Sequence, residues 1–398
     1  MSIIGTLLIL SVAVNQPLFQ KENIFTPNEK HNHGSSIVET PNGDLLAVWF
    51  HGSGERTADD VILQGARKKK DADKWSEPFL MADTPNLPDC NPVLFVDPRG
   101  ILWLFWITVQ DNQWGSSLLK YRISDDYEQE GPPVWKWQDV IHVRPLNLEK
   151  MFLEMLEKSK EAIEIITQIE PNLKEEVEYA KKSAQTKLSQ RLGWMTRIHP
   201  IMVNENTLML GLYSDVFNCS LAGFTEDWGK TWYFSNPILD PEIKNIANIQ
   251  PSFVIRNDGT IVAFMRDNGI PKRVRKAYST DSGMTWSNVM LTEIPNPGSS
   301  VECIKLKSNK WLLICNDTIS GRHRLTAYLS DDEGETWKWK KILEEAQPEK
   351  GSYSYPSVIQ AKDGLIHCTY SCKDEETKGS TIRHAWFNEE WLLTPESK

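Results

Sequence analysis

One eight-residue pattern recurs along this chain at constant phase: Ser/Thr-x-Asp-x-Gly-x-Thr-Trp. It is complete at Ser279, Asp281, Gly283, Thr285 and Trp286, and again at Ser330, Asp332, Gly334, Thr336 and Trp337. A third copy opens on threonine: Thr225, Asp227, Gly229, Thr231 and Trp232. Two degenerate copies are Ser124-Asp125-Asp126 with Trp135 or Trp137, and Arg67 with Trp75-Ser76. The chemistry is local. The aspartate accepts backbone hydrogen bonds within a turn, the glycine takes a positive φ, and the tryptophan packs the hairpin on its neighbour. The motif therefore reads as structural, and no catalytic role is assigned to it.

A second pattern interleaves with the first: a polar residue, often followed by proline, then an apolar run, a tight turn and another apolar run. The copies open at His33, Asn91, His199, Gln250, Ser300 and Tyr355. Each reads as a β-hairpin with an Asn, Asp or Gly turn. The tryptophans of the three strong motifs are 54 and 51 residues apart. A period near 50 with about four strands per unit is that of propeller blades. Six hairpins predict an all-β, six-bladed β-propeller spanning residues 21–398 as one domain. Its last blade, from Tyr355 on, closes by pairing with an N-terminal strand. The spacing is stretched between Asn91 and His199. The excess, about 147–190, carries Phe152, Met155, Leu156 and Ile163 at helical spacing amid Glu and Lys. With Pro171 as a break, it reads as an α-helical hairpin inserted between blades.

Composition narrows the function. Lys and Arg number 44 against 54 Asp and Glu, a net charge of −10. A surface that grips nucleic acid through its phosphates needs the opposite balance. Six cysteines without a CxxC pair are neither a disulfide framework nor a zinc site. No metal site and no cofactor is expected. The 16 tryptophans are assigned mainly to blade packing. Ile3–Val14 is mostly apolar but too short to span a bilayer. It reads either as a signal-peptide segment ending at Ser11-Val12-Ala13, with a secreted or periplasmic protein, or as a buried first strand in a cytoplasmic one. Residues 1–20 are set apart on that account. No other segment is long and apolar enough to cross a membrane.

The repeats and their spacing resemble the sialidase (neuraminidase) superfamily of six-bladed propellers with Asp-box (BNR) repeats. The resemblance covers nearly the whole chain apart from the helical insertion and the first 20 residues. It implies a glycosidase whose arginines hold a sugar carboxylate, with a tyrosine nucleophile assisted by a glutamate and an aspartate as acid/base. Three positions match. Arg266 stands eight after Asp258 of the fourth hairpin turn, Arg322 eight before Ser330, and Tyr355 eight before Asp363. Others depart. His33 stands where the family has its first arginine, and Gln250 where it has the glutamate. The acid/base falls on the loop after the first hairpin, which offers Asp59 and Asp60.

The hairpin-opening residues of a propeller converge at one mouth. The expected catalytic set is His33, Tyr355, Asp60 and Gln250. The expected substrate contacts are Arg266, Arg322, Asn91, His199, Arg197 and Asp59. Tyr213-Ser214-Asp215, His51, Trp114 and His323 also fall on mouth loops by register. Glutamine cannot take a proton from a phenol of pKa ~10, and two arginines grip a carboxylate less firmly than three. His33 adds a group that titrates near neutrality. The expected partner is an acidic glycan, and three readings stay open. One is exo-sialidase-type hydrolysis. Another is uronate-directed elimination or hydrolysis with His33 and Tyr355 exchanging protons. The third is a glycan-binding propeller without catalysis. A protein-interaction role for the helical hairpin is a further possibility.

Overall fold

The computed structural model describes residues 16–169, 171–239 and 247–395. The segment Ile3–Val14, read above in two ways, lies outside the described residues. The described strands form six four-stranded antiparallel sheets arranged as propeller blades. The innermost strands begin at His31, Asp89, Ile201, Asn248, Glu302 and Gly351, in chain order from blade one to blade six. Within blades one to five the four strands follow one another outward. In blade six the outermost place is taken by Phe19–Asn23, which pairs antiparallel with Thr381–Phe387. The ring therefore closes on a strand from the other end of the chain.

Apolar packing between blades makes the core. The tryptophans of the three complete Asp-boxes pack against it, and all three copies are built alike. In the last, Ser330 Oγ donates to Asp332 Oδ1 at 2.7 Å, Gly334 N to Ser330 Oγ at 2.9 Å, and Thr336 N to Asp332 at 2.8 Å. The glycines sit at positive φ and press on large side chains. A Cβ at Gly283 would lie 2.9 Å from Met209 Cε and 3.0 Å from Phe224 of blade three. Only glycine fits both the dihedral and the space. Trp286 stacks on Phe253 at 5.3 Å, and Trp337 meets Phe264 edge-on at 5.8 Å. The two degenerate copies lack this bonding. There Ser124 Oγ donates to the carbonyls of Asp126 and Val134, and Trp75 Nε1 donates to Glu22.

Four innermost strands share a second device. Their pairing register shifts between His33 and Ser36, Cys90 and Val93, Ile249 and Ser252, and Ser354 and Ser357. At each shift one residue is left-handed: Gly34, Asn91, Gln250 and Tyr355, with φ of 64°, 52°, 56° and 60°. Three of these precede a proline, which has no N–H to offer the ladder and so fits a bulge. A bulge interrupts the in–out alternation and re-aims a side chain. Here it turns Asn91, Gln250 and Tyr355 toward the channel mouth.

The insertion between blades two and three holds three helices, α1 (Leu148–Lys158), α2 (Lys160–Ile169) and α3 (Leu173–Ala184). The first expected helix is thus interrupted at Ser159. Leu148, Phe152 and Met155 share one face of α1 and are buried on the propeller. Phe152 meets Phe217 of blade three edge-on at 5.4 Å. The chain returns past Gly193, where a Cβ would lie 2.9 Å from the Gly115 backbone.

Candidate active site

Tyr355 is the centre of the mouth. Its hydroxyl oxygen accepts from Arg266 Nη1 at 2.8 Å and lies 3.4 Å from the amide nitrogen of Gln250. The guanidinium carbons of Arg197 and Arg322 lie 5.0 and 5.2 Å from its ring centre, and the His33 ring lies at 4.2 Å. Burial alone would raise the phenol's pKa. The charges of Arg266 and Arg322 outweigh it and bring the pKa below its ordinary value. Two hydrogen-bond donors on one oxygen act in the same direction, since they favour the charged form.

The arginines differ in how they are used. Arg197 is 1% exposed and donates to the carbonyls of Ser35, Tyr355 and Pro356 at 3.0, 2.6 and 3.3 Å. It underpins the bulges of blades one and six from below the mouth. Arg266 and Arg322 are less committed. Arg266 Nη2 donates to Asn268 Oδ1 at 3.0 Å, and Arg322 Nη2 to the Gly298 carbonyl at 3.1 Å. Asp267 and Asp317, the acidic neighbours that could have neutralised them, are taken elsewhere. Asp267 pairs with Arg275 at 2.8 Å, and Asp317 with Arg324 and Lys340, each at 2.6 Å. Among the described residues neither Arg266 nor Arg322 has a carboxylate within 4.0 Å.

His33 is 8% exposed, stacked on His31 and set edge-on to Phe50. Burial, then the charges of Arg322, His31, Arg197 and Arg266, hold its pKa well below 6.5. It is a neutral imidazole at physiological pH. Gln250 also reaches Tyr213 Oη at 3.2 Å, and Asn91 Nδ2 donates to the same oxygen at 3.0 Å. Burial, then Asp215 and Tyr355, push the Tyr213 phenol far above its ordinary value, so it stays protonated.

His199 does not join this group. Its Nδ1 lies 2.6 Å from Glu302 Oε1 and its Nε2 lies 2.8 Å from the Ile37 carbonyl, linking blades five and one across the channel. Asp59 and Asp60 are also placed apart. Asp59 accepts from Asn112 Nδ2 at 3.0 Å. Asp60 accepts from Ser53 N and Oγ at 2.9 and 2.6 Å and pairs with Lys30 at 3.0 Å. The Ser53 hydrogen bonds, more than the Lys30 charge, lower its pKa to about 2.

Other carboxylates act at the mouth, Glu55 on Tyr355 and Asp215 on Tyr213 and Arg266. Burial raises the Asp215 pKa above 3.8, against the charges of Arg266 and Arg56, and Glu55 adds to the rise. Asp215 Oδ1 is buried without a partner among the described residues, as are Gln250 Oε1 and Arg266 Nε. At the mouth such atoms are free to meet a ligand or water. Glu55 lies on the loop after the first hairpin, with His31 Nε2 at 3.9 Å. Sequence reasoning looked on that loop and settled on its aspartates. Nothing in the local pattern distinguishes Glu55, which is four residues earlier than Asp59.

The family of BNR repeat-like domains matches residues 43–156 and 180–368, most of the chain apart from α2 and the first part of α3. The chain belongs to this family. Its structure is similar to that of sialidases. The leech intramolecular trans-sialidase superposes with a TM-score of 0.67 at 13% identity, over 94% of this chain and 71% of that one. The intramolecular trans-sialidase of Ruminococcus gnavus gives 0.65 at 13%, over 94% and 98%. The α-L-arabinanase of Penicillium chrysogenum gives 0.60 at 12%, over 95% and 100%. The protein is thus a sialidase-like BNR propeller with the fold of several glycosidases. No protein of curated function matches it in sequence. No helix among the described residues is long and apolar enough to cross a membrane, and none of their His, Cys, Asp and Glu side chains gather as a metal site.

Proposed function

We propose that this propeller is a glycoside hydrolase of the exo-sialidase type acting on an acidic sugar. The observation that carries the reading is the pair Arg266 and Arg322, which flank Tyr355 without a carboxylate of their own. A sugar carboxylate fits there, because guanidinium groups hold carboxylates through paired hydrogen bonds. The Tyr355 oxygen attacks the anomeric carbon as a phenolate. The departing oxygen takes a proton from Asp215, whose raised pKa suits an acid. Water then displaces Tyr355 while Asp215 recovers a proton, so the net change is addition of water. In this scheme the two arginines replace the missing glutamate as the means of ionising the tyrosine, and Gln250 adds a donor.

One observation favours a second chemistry on the same residues. His33 is neutral and in ring contact with Tyr355, and Gln250 is not a base. With a uronate bound to the arginines, neutral His33 would take the proton from the carbon beside the carboxylate and the Tyr355 hydroxyl would give its proton to the leaving oxygen, giving an unsaturated uronate, after which the imidazolium returns a proton to the phenolate. The two are separated by one assay pair: release of a fluorophore from a sialoside, and ultraviolet absorbance of unsaturated product from a uronate polymer. Fluorophore release that disappears in Tyr355→Phe supports hydrolysis. Absorbance alone, lost in His33→Ala, replaces it by elimination. Binding of both sugars with neither product assigns a glycan-binding propeller.

A further inference from the structure

A cleft of about 1000 Å³ runs from the mouth to the helical insertion. Its mouth end is shared with the site. Arg56, Asp215 and Asn268 line it, and Asn268 is the residue that holds Arg266 Nη2. Farther out the lining turns apolar. Leu156, Ile163, Ile166 and Val177 of the insertion face Val216 and Ile270 of the propeller. Ile270 is 66% exposed and Tyr179 60%. Leu148, Phe152 and Met155 hold the insertion to the propeller. Phe152 also lines the cleft beside Leu156, and the cleft is far larger than one sugar ring requires. An isolated apolar surface of this kind has a cost in water unless it is covered by something.

We infer that the cleft is a subsite for an apolar aglycone, an alkyl or aryl group joined to the acidic sugar held at Arg266 and Arg322. Continuity with the mouth carries the assignment. A leaving oxygen protonated by Asp215 has its substituent at the polar end of the cleft, whose wall continues outward to Ile166 and Ile270. The inference rests on the proposed function for its sugar, but the apolar contact is measurable without it.

The test compares octyl and methyl glycosides of N-acetylneuraminic acid and of glucuronic acid by calorimetry, with octyl β-D-glucoside below its micellar concentration as a neutral probe. Ile166→Ser and Ile270→Ser alter opposite walls, so a folding fault in one variant leaves the other informative. The expected result is an octyl glycoside bound at least ~10-fold more tightly than its methyl counterpart, since each buried methylene adds to binding. Both variants should bring that ratio toward one and leave methyl affinity unchanged. A ratio near one in the wild type, or one that both variants leave intact, overturns the inference. Failure of both methyl glycosides to bind counts against the proposed function instead. In that case one-to-one binding of octyl glucoside that both variants weaken sustains the subsite. No such binding, or binding that neither variant weakens, overturns it.

Discussion

Tyr355 combines a strained backbone, a donor-flanked oxygen and three cationic neighbours, and these have consequences that can be measured. Replacing it with Phe should abolish turnover, by ~10³-fold or more, while circular dichroism stays native. Because Arg266 and Arg322 lower its pKa, activity should rise with pH along a limb lying below the ordinary phenol value of about 10. The limb should shift upward in Arg322→Gln. A limb at the same pH in that variant would assign the ionisation to another group. Arg266→Lys keeps the charge but loses the planar fork, so KM should rise by ~10–100-fold with a smaller change in kcat. Individual residues were unevenly legible in the sequence. Arg266, Arg322 and Tyr355 stand at fixed distances from turn residues, and the structure brings them together with His33 and Gln250. Arg197 and His199 have the same neighbourhood in the sequence but reach backbone carbonyls and Glu302. Side-chain length and direction decided that, and spacing carries neither. Asp215 is shaped by its burial and by the charge of Glu55, which arise only when loops of blades one and three meet.

Elements of the fold were the most readable part, because each Asp-box encodes its own turn. The hydrogen bonds join residues at most four apart, so the motif forms wherever it is written. Asp281→Ala removes acceptors from Ser279, Thr285 N and the Thr285 hydroxyl. It should cost about 1–3 kcal/mol in unfolding free energy, seen as a lower melting temperature, with the KM of the folded fraction unchanged. A changed KM would mean that the motif reaches the mouth. The helical insertion was legible as helix from its period, but its role was not. Phe152 and Leu156 share one side of α1, which both packs on the propeller and walls the cleft, and a helical period does not say what an apolar side will meet. Ring closure was foreseen as an N-terminal strand, and the residues that supply it are Phe19–Asn23.

The molecule as a whole depends on that closure. Glu22, on the closing strand, accepts from Lys68 at 2.7 Å and from Trp75 Nε1 at 2.9 Å on blade one, and lies 3.1 Å from His384 Nδ1 on blade six. Glu22→Ala should therefore cost about 1–3 kcal/mol of unfolding free energy, seen as a lower melting temperature and as faster hydrogen exchange in the first and last blades. Acid should act through the same seam. Burial, then His384 and Lys68, lower the His367 pKa to about 3, and His33 is lowered as well. In the unfolded chain both bind protons near 6.5, so the unfolded state gains protons first and stability falls as pH drops below about 6.5 toward 3. His199, whose pKa is raised, works in the opposite direction, with its contribution complete below 6.5 and lost as pH rises past its folded value. Chemical denaturation between pH 4 and 7 tests the net sign, and His367→Gln should flatten the acid side. The four bulged inner strands have a consequence of another kind. Gly34 and the prolines after Asn91, Gln250 and Tyr355 suit the bulged backbone, and Arg197 braces two of the bulges through their carbonyls. The side chains at 33 and 250 take no part in that bracing. A His33→Arg or Gln250→Glu exchange would thus alter the chemistry of the mouth without posing the folding problem again.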